Sequence, residues 1–343
     1  MKKMRKKYVL IISMVLFAMI LTGCSNVRNK KDDKIQVVCT LFPQYDWARE
    51  IIGDNGNVEI ILLCDSGSDL HSFQPTADDI ITISDCDIFV YGGGVSDKWV
   101  EDTLKQATNK DMIVINMMEL IGDNAKKEEI VEGMEAHEHQ HDEHEQDDSE
   151  HHQHEHEEHE FDASGYDEHL WLSIINAQLV CDEICQALCK VDAENEEKYQ
   201  SNLTVYKDKL TDLDSRYREM VEDAKLDTIL VADRFPFRYL TSEYGIKYYA
   251  AFVGCSSETE ASFETVTFLA GKMDELKLNT VIVVDGSTQD VAKTVIECSA
   301  NKNQSILELD SMQAVSKNRI DAGDSYISIM ENNLQVLSQA LNN

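Results

Sequence analysis

The sequence predicts an α/β protein of two similar lobes, each a mostly parallel sheet flanked by helices, joined by a long connecting helix. Short apolar runs rich in β-branched residues alternate with amphipathic segments along most of the chain. The runs fall into two sets of four. Between the sets lies a breaker-poor stretch dense in Glu/Lys pairs, the signature of extended helix.

The first set comprises Ile35–Thr40, Val58–Leu63, Asp87–Tyr91 and Met112–Ile115. Helical spacing appears near Tyr45–Ile52, Thr76–Ile83 and Ser96–Ala107. Near-continuous hydrophobic strands separated by helices indicate a parallel sheet covered on both faces. The second set repeats the pattern at Thr228–Ala232, Tyr248–Val253, Thr280–Val284 and Ser305–Leu309. Its helices are expected near Phe237–Tyr244, Ser262–Leu276, Thr288–Ser299 and Asp324–Leu341. Residues 170–222 read as two helices, the second beginning near Asp192 and long enough to span both lobes.

Nine of the eleven histidines lie in one acidic run: His137, His139, His141, His144, His151, His152, His154, His156 and His159. Neutral imidazoles and carboxylates are ligands for zinc, copper or nickel. The run has no apolar period and too little hydrophobic surface to offset the entropy of ordering its backbone, so it reads as a flexible insertion at 125–165. Loose ligands of this kind bind metal with low affinity and little selectivity.

At the N-terminus, Lys2, Lys3, Arg5, Lys6 and Lys7 precede the apolar stretch Tyr8–Leu21. That stretch is shorter than the roughly 20 residues of a bilayer span and suits a secretory leader. Its end, Leu21-Thr22-Gly23-Cys24, resembles a bacterial lipobox, which implies lipidation at Cys24 and a chain held on the outer face of the cell membrane. The expected organisation is therefore leader 1–23, tether 24–34, first lobe 35–190 with its insertion, connecting helix 191–224 and second lobe 225–343.

The formal net charge is -33, and loss of the leader's five cations makes it more negative. This excludes nucleic-acid binding and charge-driven adhesion to anionic lipid. Eight cysteines remain besides Cys24, with no CxxC. Cys181, Cys185 and Cys189 share one helical face and read as small buried hydrophobes rather than a thiolate cluster.

Ligands of doubly wound sheets gather at strand ends. His71 follows the strand ending at Leu63, His169 follows the insertion, and Asp310 closes the strand ending at Leu309. Leu41-Phe-Pro-Gln-Tyr-Asp-Trp-Ala48, Asp69-Leu-His-Ser-Phe-Gln-Pro75 with Asp78-Asp79-Ile80, Asp167-Glu-His-Leu-Trp-Leu-Ser-Ile-Ile-Asn-Ala177, Gly254-Cys-Ser-Ser-Glu-Thr-Glu-Ala-Ser262 and Leu309-Asp310-Ser311 with Gly323-Asp-Ser-Tyr326 together resemble the metal-binding lipoproteins of ABC importers. Within that group the histidine-rich insertion resembles the zinc branch.

The resemblance implies that His71, His169 and Asp310 bind Zn2+ in a cleft between the lobes, with Mn2+ as the alternative cargo. It implies delivery to an ABC permease by a monomer that catalyses nothing. The group's remaining histidine ligand aligns with Arg234, and arginine cannot ligate a metal. Asp233, Glu258, Glu260, water or an insertion histidine are the candidates to complete the site. Alternatively, Arg234 or Arg238 pairs with a carboxylate and holds the cleft in shape. A secreted zinc hydrolase, for which no nucleophile elbow is present, and a surface metal buffer or adhesin are the readings from other classes. For the second lobe, Cys255 with Cys298 is the expected disulfide.

Overall fold

In the computed structural model, residues 34–135, 165–256 and 260–343 are described. Two four-stranded sheets are present, all pairings within them parallel. The first has the order β2-β1-β3-β4, formed by β1 (Ile35–Cys39), β2 (Val58–Leu62), β3 (Ile88–Tyr91) and β4 (Ile113–Asn116). The second has the order β6-β5-β7-β8, formed by β5 (Thr228–Phe235), β6 (Lys247–Val253), β7 (Thr280–Val284) and β8 (Ser305–Leu309).

Strand alternation sorts side chains into three hydrophobic clusters. Val37, Cys39, Ile88 and Val90 of the first sheet join Ile229, Val231, Ile282 and Val284 of the second in one central cluster. Their neighbours one residue along point the other way: Val38 and Phe89 meet helix residues on the first sheet's outer face, and Leu230, Ala232, Val281 and Val283 do so on the second's. A hydrophobic cluster therefore runs continuously from one lobe to the other.

The helices are α1 (Phe42–Ile52), α2 (Ala77–Asp85), α3 (Trp99–Lys105), α4 (Met117–Ile121), α5 (Ile174–Val191), α6 (Glu196–Glu222), α7 (Arg238–Tyr244), α8 (Phe263–Leu276), α9 (Asp290–Cys298), α10 (Lys317–Asp321) and α11 (Tyr326–Asn342). Thr76 and Asp79 cap α2 reciprocally, the Thr76 N–H donating to Asp79 Oδ2 at 2.7 Å and the Asp79 N–H to Thr76 Oγ1 at 3.2 Å. The expected helix over 96–107 is broken. A 3-10 turn at Val95–Asp97 precedes α3, and the buried Asp97 carboxylate accepts the Gly93 N–H at 3.0 Å.

The connecting helix α6 has 27 residues, a length of about 40 Å. It buries Tyr199, Tyr206, Leu210, Leu213 and Tyr217 along one stripe. That stripe packs against α5 and α1 on the first-lobe side and against α11 and α7 on the second. Tyr217 donates to the Met330 carbonyl at 2.7 Å, fixing α6 to α11.

Residues 126–135, expected within the insertion, belong instead to the fold. Lys127 and Tyr166 form an antiparallel bridge. The Glu135 N–H donates to the Ala251 carbonyl at 2.9 Å, and Met134 is buried. The segment's acidic composition hid this, because its anchors are backbone bonds, the buried Met134 and glutamates whose partners Arg238, Tyr248, Cys255 and Ser262 lie more than 100 residues away. The nine insertion histidines and Cys24 lie outside the described residues. Among the described residues, no helix is long and apolar enough to cross a membrane.

Candidate metal centre

Three elements bring side chains to one point at the carboxyl ends of the sheets. The loop after β2 makes a 3-10 turn at Leu70–Ser72 carrying His71. Asp69 caps this turn, its Oδ1 accepting the His71 N–H at 3.0 Å. His169 opens a second turn, Leu170–Leu172, ahead of α5. Trp171 anchors this segment to the second lobe, its indole N–H donating to the Ser311 carbonyl at 2.9 Å, while Tyr326 Oη donates to the Trp171 carbonyl at 2.7 Å. The third element is the loop after β6, which carries Cys255.

His71 Nε2 lies 3.4 Å from His169 Nε2. Two nitrogens bound tetrahedrally to one zinc ion at about 2.0–2.1 Å are separated by about 3.4 Å, so the pair spans one edge of such a site. The Cys255 thiol completes a triangle in which every ligand atom lies within 4.8 Å of the others. His169 is fully buried, His71 partly so.

The opposite ring nitrogens are held by acids. His169 Nδ1 lies 3.0 Å from Asp167 Oδ1, and His71 Nδ1 lies 2.9 Å from Ser96 Oγ and 3.2 Å from Glu168 Oε2. Carboxylates behind imidazoles fix ring orientation and tautomer and raise ligand basicity, as in metal sites generally. Glu168 is fixed in turn by the Ser96 N–H at 2.7 Å and hydroxyl at 2.6 Å.

Burial alone would raise the Glu168 pKa, but hydrogen bonds from His71 and Ser96 outweigh it and lower it to about 2. At His169, burial works against the charged ring. Asp167, and Glu168 behind it, more than offset this and raise its pKa. The site is built to hold positive charge.

Two glycines permit the close approach. A Cβ on Gly254 would come within 2.9 Å of the Phe235 carbonyl oxygen and 3.1 Å of His169 Cε1. A Cβ on Gly94 would sit 2.0 Å from Glu168 Oε1.

The other residues picked out in the sequence lie differently. Asp310 does not join the triangle: its Oδ2 pairs with Arg319 Nη2 at 2.5 Å and its Oδ1 accepts the Met312 N–H at 2.8 Å. Asp233 Oδ1 accepts the Arg234 N–H at 2.8 Å. Glu260 is exposed and Glu258 lies outside the described residues. Arg234 follows an irregularity in the β5 register, the kind of local kink that re-aims a side chain. It pairs with Asp69 at 2.9 Å, and Arg238 pairs with Glu129, so both arginines hold carboxylates.

The expected disulfide is not formed. Cys255 and Cys298 are both free, the first beside the histidines and the second exposed at the end of α9. Cys181 and Cys185 are buried in the central cluster and Cys189 packs against it, as small hydrophobes. Sequence reasoning gave no role to Asp167, Glu168 or Ser96, although the first two stand beside His169 in the motif, and it assigned Cys255 to a disulfide.

Residues 37–340 match the family model described as the periplasmic zinc-uptake complex component A. The chain belongs to the zinc-uptake component A family. Across 328 residues it is 31% identical to the high-affinity zinc uptake system protein ZnuA of Bacillus subtilis, covering 94% of both chains. It is 30% identical to the zinc-binding lipoprotein AdcA of Streptococcus pneumoniae over 94% of this chain, and spans 59% of that relative's length. Among solved structures, the metal-dependent lipoprotein YcdH of Bacillus subtilis matches with a TM-score of 0.69 at 26% identity, covering 90% of this chain and 99% of the other. The Zn(II)-bound ZnuA-like domain of Streptococcus pneumoniae AdcA shares the component A fold with a TM-score of 0.67, at 24% identity, over 90% of this chain and 100% of the other.

Proposed function

We propose that this chain captures zinc outside the cell membrane and delivers it to an ABC permease, without catalysing a reaction. The observation that carries this reading is the 3.4 Å separation of two Nε2 atoms whose rings are each backed by a carboxylate. Zinc is named in the descriptions of the family and of the relatives in Bacillus and Streptococcus.

Binding proceeds by replacing the ion's water with imidazole nitrogens while Glu168, Asp167 and Asp69 supply negative field. Neutral rings are required, so the ion competes with protons for His71 and His169. The continuous cluster between the lobes and the rigid α6 favour release by local movement of the ligand loops over wide opening of the lobes. A lipid on Cys24 would hold the monomer at the membrane surface, and the histidine run would gather ions near the cleft.

Isothermal titration of metal-stripped protein with zinc tests this reading. One tight zinc equivalent, lost in His71→Ala and in His169→Ala, is expected. Tight binding that tracks the histidine run would instead make the chain a surface metal buffer, and stronger manganese binding at the histidine pair would change the cargo.

A further inference from the structure

We propose that Cys255 is the third protein ligand of the cleft site, which makes the site a centre of two nitrogens and one sulfur whose preferred cargo is zinc or another thiophilic divalent ion and not manganese. This rests on the histidine-pair reading above and deepens it. Arg234, whose guanidinium cannot ligate a metal, is committed to Asp69 at 2.9 Å. Among the described residues, only Cys255 joins His71 and His169 as a group able to hold a metal, all ligand atoms lying within 4.8 Å of one another.

The geometry needed is close to that present. A thiolate about 2.3 Å and an imidazole about 2.05 Å from a tetrahedral zinc ion lie about 3.6 Å apart. The thiol therefore reaches its place through a movement on the order of 1 Å. Gly254 makes that possible, because any side chain there would press on His169 Cε1 and hold the loop away.

Cys255 is held by hydrogen bonds alone. It forms no disulfide. Its Sγ faces Glu168 Oε2 at 3.9 Å, while its N–H donates to Glu128 Oε1 at 3.4 Å. Burial, and then the Glu128, Glu168 and Asp167 carboxylates, raise the thiol's pKa. A dication in the triangle reverses that field: the metal–sulfur bond forms as the S–H proton leaves to solvent, one proton per ion bound. A thiolate selects zinc over manganese, whose preferred ligands are carboxylate, carbonyl and water.

Cobalt(II) reports the donor set directly, since thiolate ligation gives a near-ultraviolet charge-transfer absorption that nitrogen and oxygen ligands do not. One equivalent of cobalt(II) is added to reduced, metal-stripped full chain, to Cys255→Ser, to Cys298→Ser and to His71→Ala. The histidine run contains no sulfur and cannot produce the band. The expected result is a sulfur band in the wild type and in Cys298→Ser, and its loss in Cys255→Ser. Zinc affinity in Cys255→Ser should fall at least ~10-fold and manganese affinity by less. A histidine-dependent cobalt site in the wild type without a sulfur band, or unchanged zinc affinity in Cys255→Ser, overturns the thiolate ligand and leaves the histidine pair standing. Cobalt and zinc binding that ignores His71→Ala overturns the histidine reading, and the thiolate proposal with it.

Discussion

The guanidinium of Arg234 reaches from the second lobe to the carboxylate of Asp69 in the first, Nη1 to Oδ2 at 2.9 Å. The other Asp69 oxygen accepts the His71 N–H at 3.0 Å. Arg234 thus steadies the His71 turn from across the cleft. Burial raises the Asp69 carboxyl, but the His71 N–H and Arg234 outweigh that and leave it below its ordinary value.

Arg234→Ala should therefore loosen the His71 turn without removing a ligand. Zinc affinity is expected to fall roughly 10-fold, with the stoichiometry of the tight site unchanged. Titration calorimetry distinguishes this from His71→Ala, where the tight site itself disappears. An Arg234→Ala variant that binds zinc as tightly as the wild type would show that the ion pair is incidental.

Gly254→Ala should separate binding from folding. Its Cβ would fall 2.9 Å from the Phe235 carbonyl oxygen and 3.1 Å from His169 Cε1, so the loop must retreat from the histidine. Zinc affinity should drop about 10-fold or more, a larger effect than the loss of stability that moving the loop off the Phe235 carbonyl costs the metal-stripped protein, read by thermal denaturation. Equal loss of both would mean that the glycine serves the fold alone.

Asp46 gives a pH signature remote from the metal. Its side chain is fully buried, pairs with Arg49, and accepts the Tyr326 N–H at 2.8 Å. Burial pushes its pKa up to about 6, above the unfolded value of about 3.9. Because the folded state holds the proton more tightly, this carboxyl costs nothing well below pH 4 and its penalty grows as pH rises from about 4 to about 6, staying constant above. Asp46→Asn removes the penalty. Relative to the wild type, the variant should gain about 2 kcal/mol of stability between pH 4 and pH 7.5, read by urea denaturation at both values. A difference independent of pH would mean that Asp46 is ionised at no cost.

The position of Met134 sets where the histidine run can be removed. Replacing 136–164 with a short linker should preserve folding and the tight site while abolishing weak zinc equivalents. A deletion that begins at Met134 removes a buried side chain and the Glu135 N–H bond to Ala251. It should cost a further ~2 kcal/mol or more, visible in thermal melts.

Much of this architecture was legible in the chain because parallel strands covered on both faces must be short, apolar and β-branched, as Thr280–Val284 is. The long α6 was legible from its lack of breakers and its density of Glu/Lys pairs. What escaped was set by tertiary context. Residues 126–135 share the composition of the acidic run, yet their backbone bonds to Gly165 and Ala251 place them in the fold. His71 and His169 stood out because they are the two histidines outside the acidic run, each within a motif that carries the family resemblance. Cys255 did not, since a lone thiol in sequence reads equally as a core residue or a disulfide partner, and only the approach of the β6 loop to His169 shows its surroundings. The fate of Arg234 was anticipated as a structural ion pair, but its partner Asp69 lies 165 residues away.

The most direct measurement is competitive titration of zinc and manganese into the metal-stripped chain lacking residues 136–164, beside the same chain carrying His169→Ala. One tight zinc equivalent that outcompetes manganese, and its loss in His169→Ala, is the expected result. Retention of tight zinc binding in His169→Ala, or its disappearance with the deletion alone, would contradict a zinc-capturing centre built on His71 and His169.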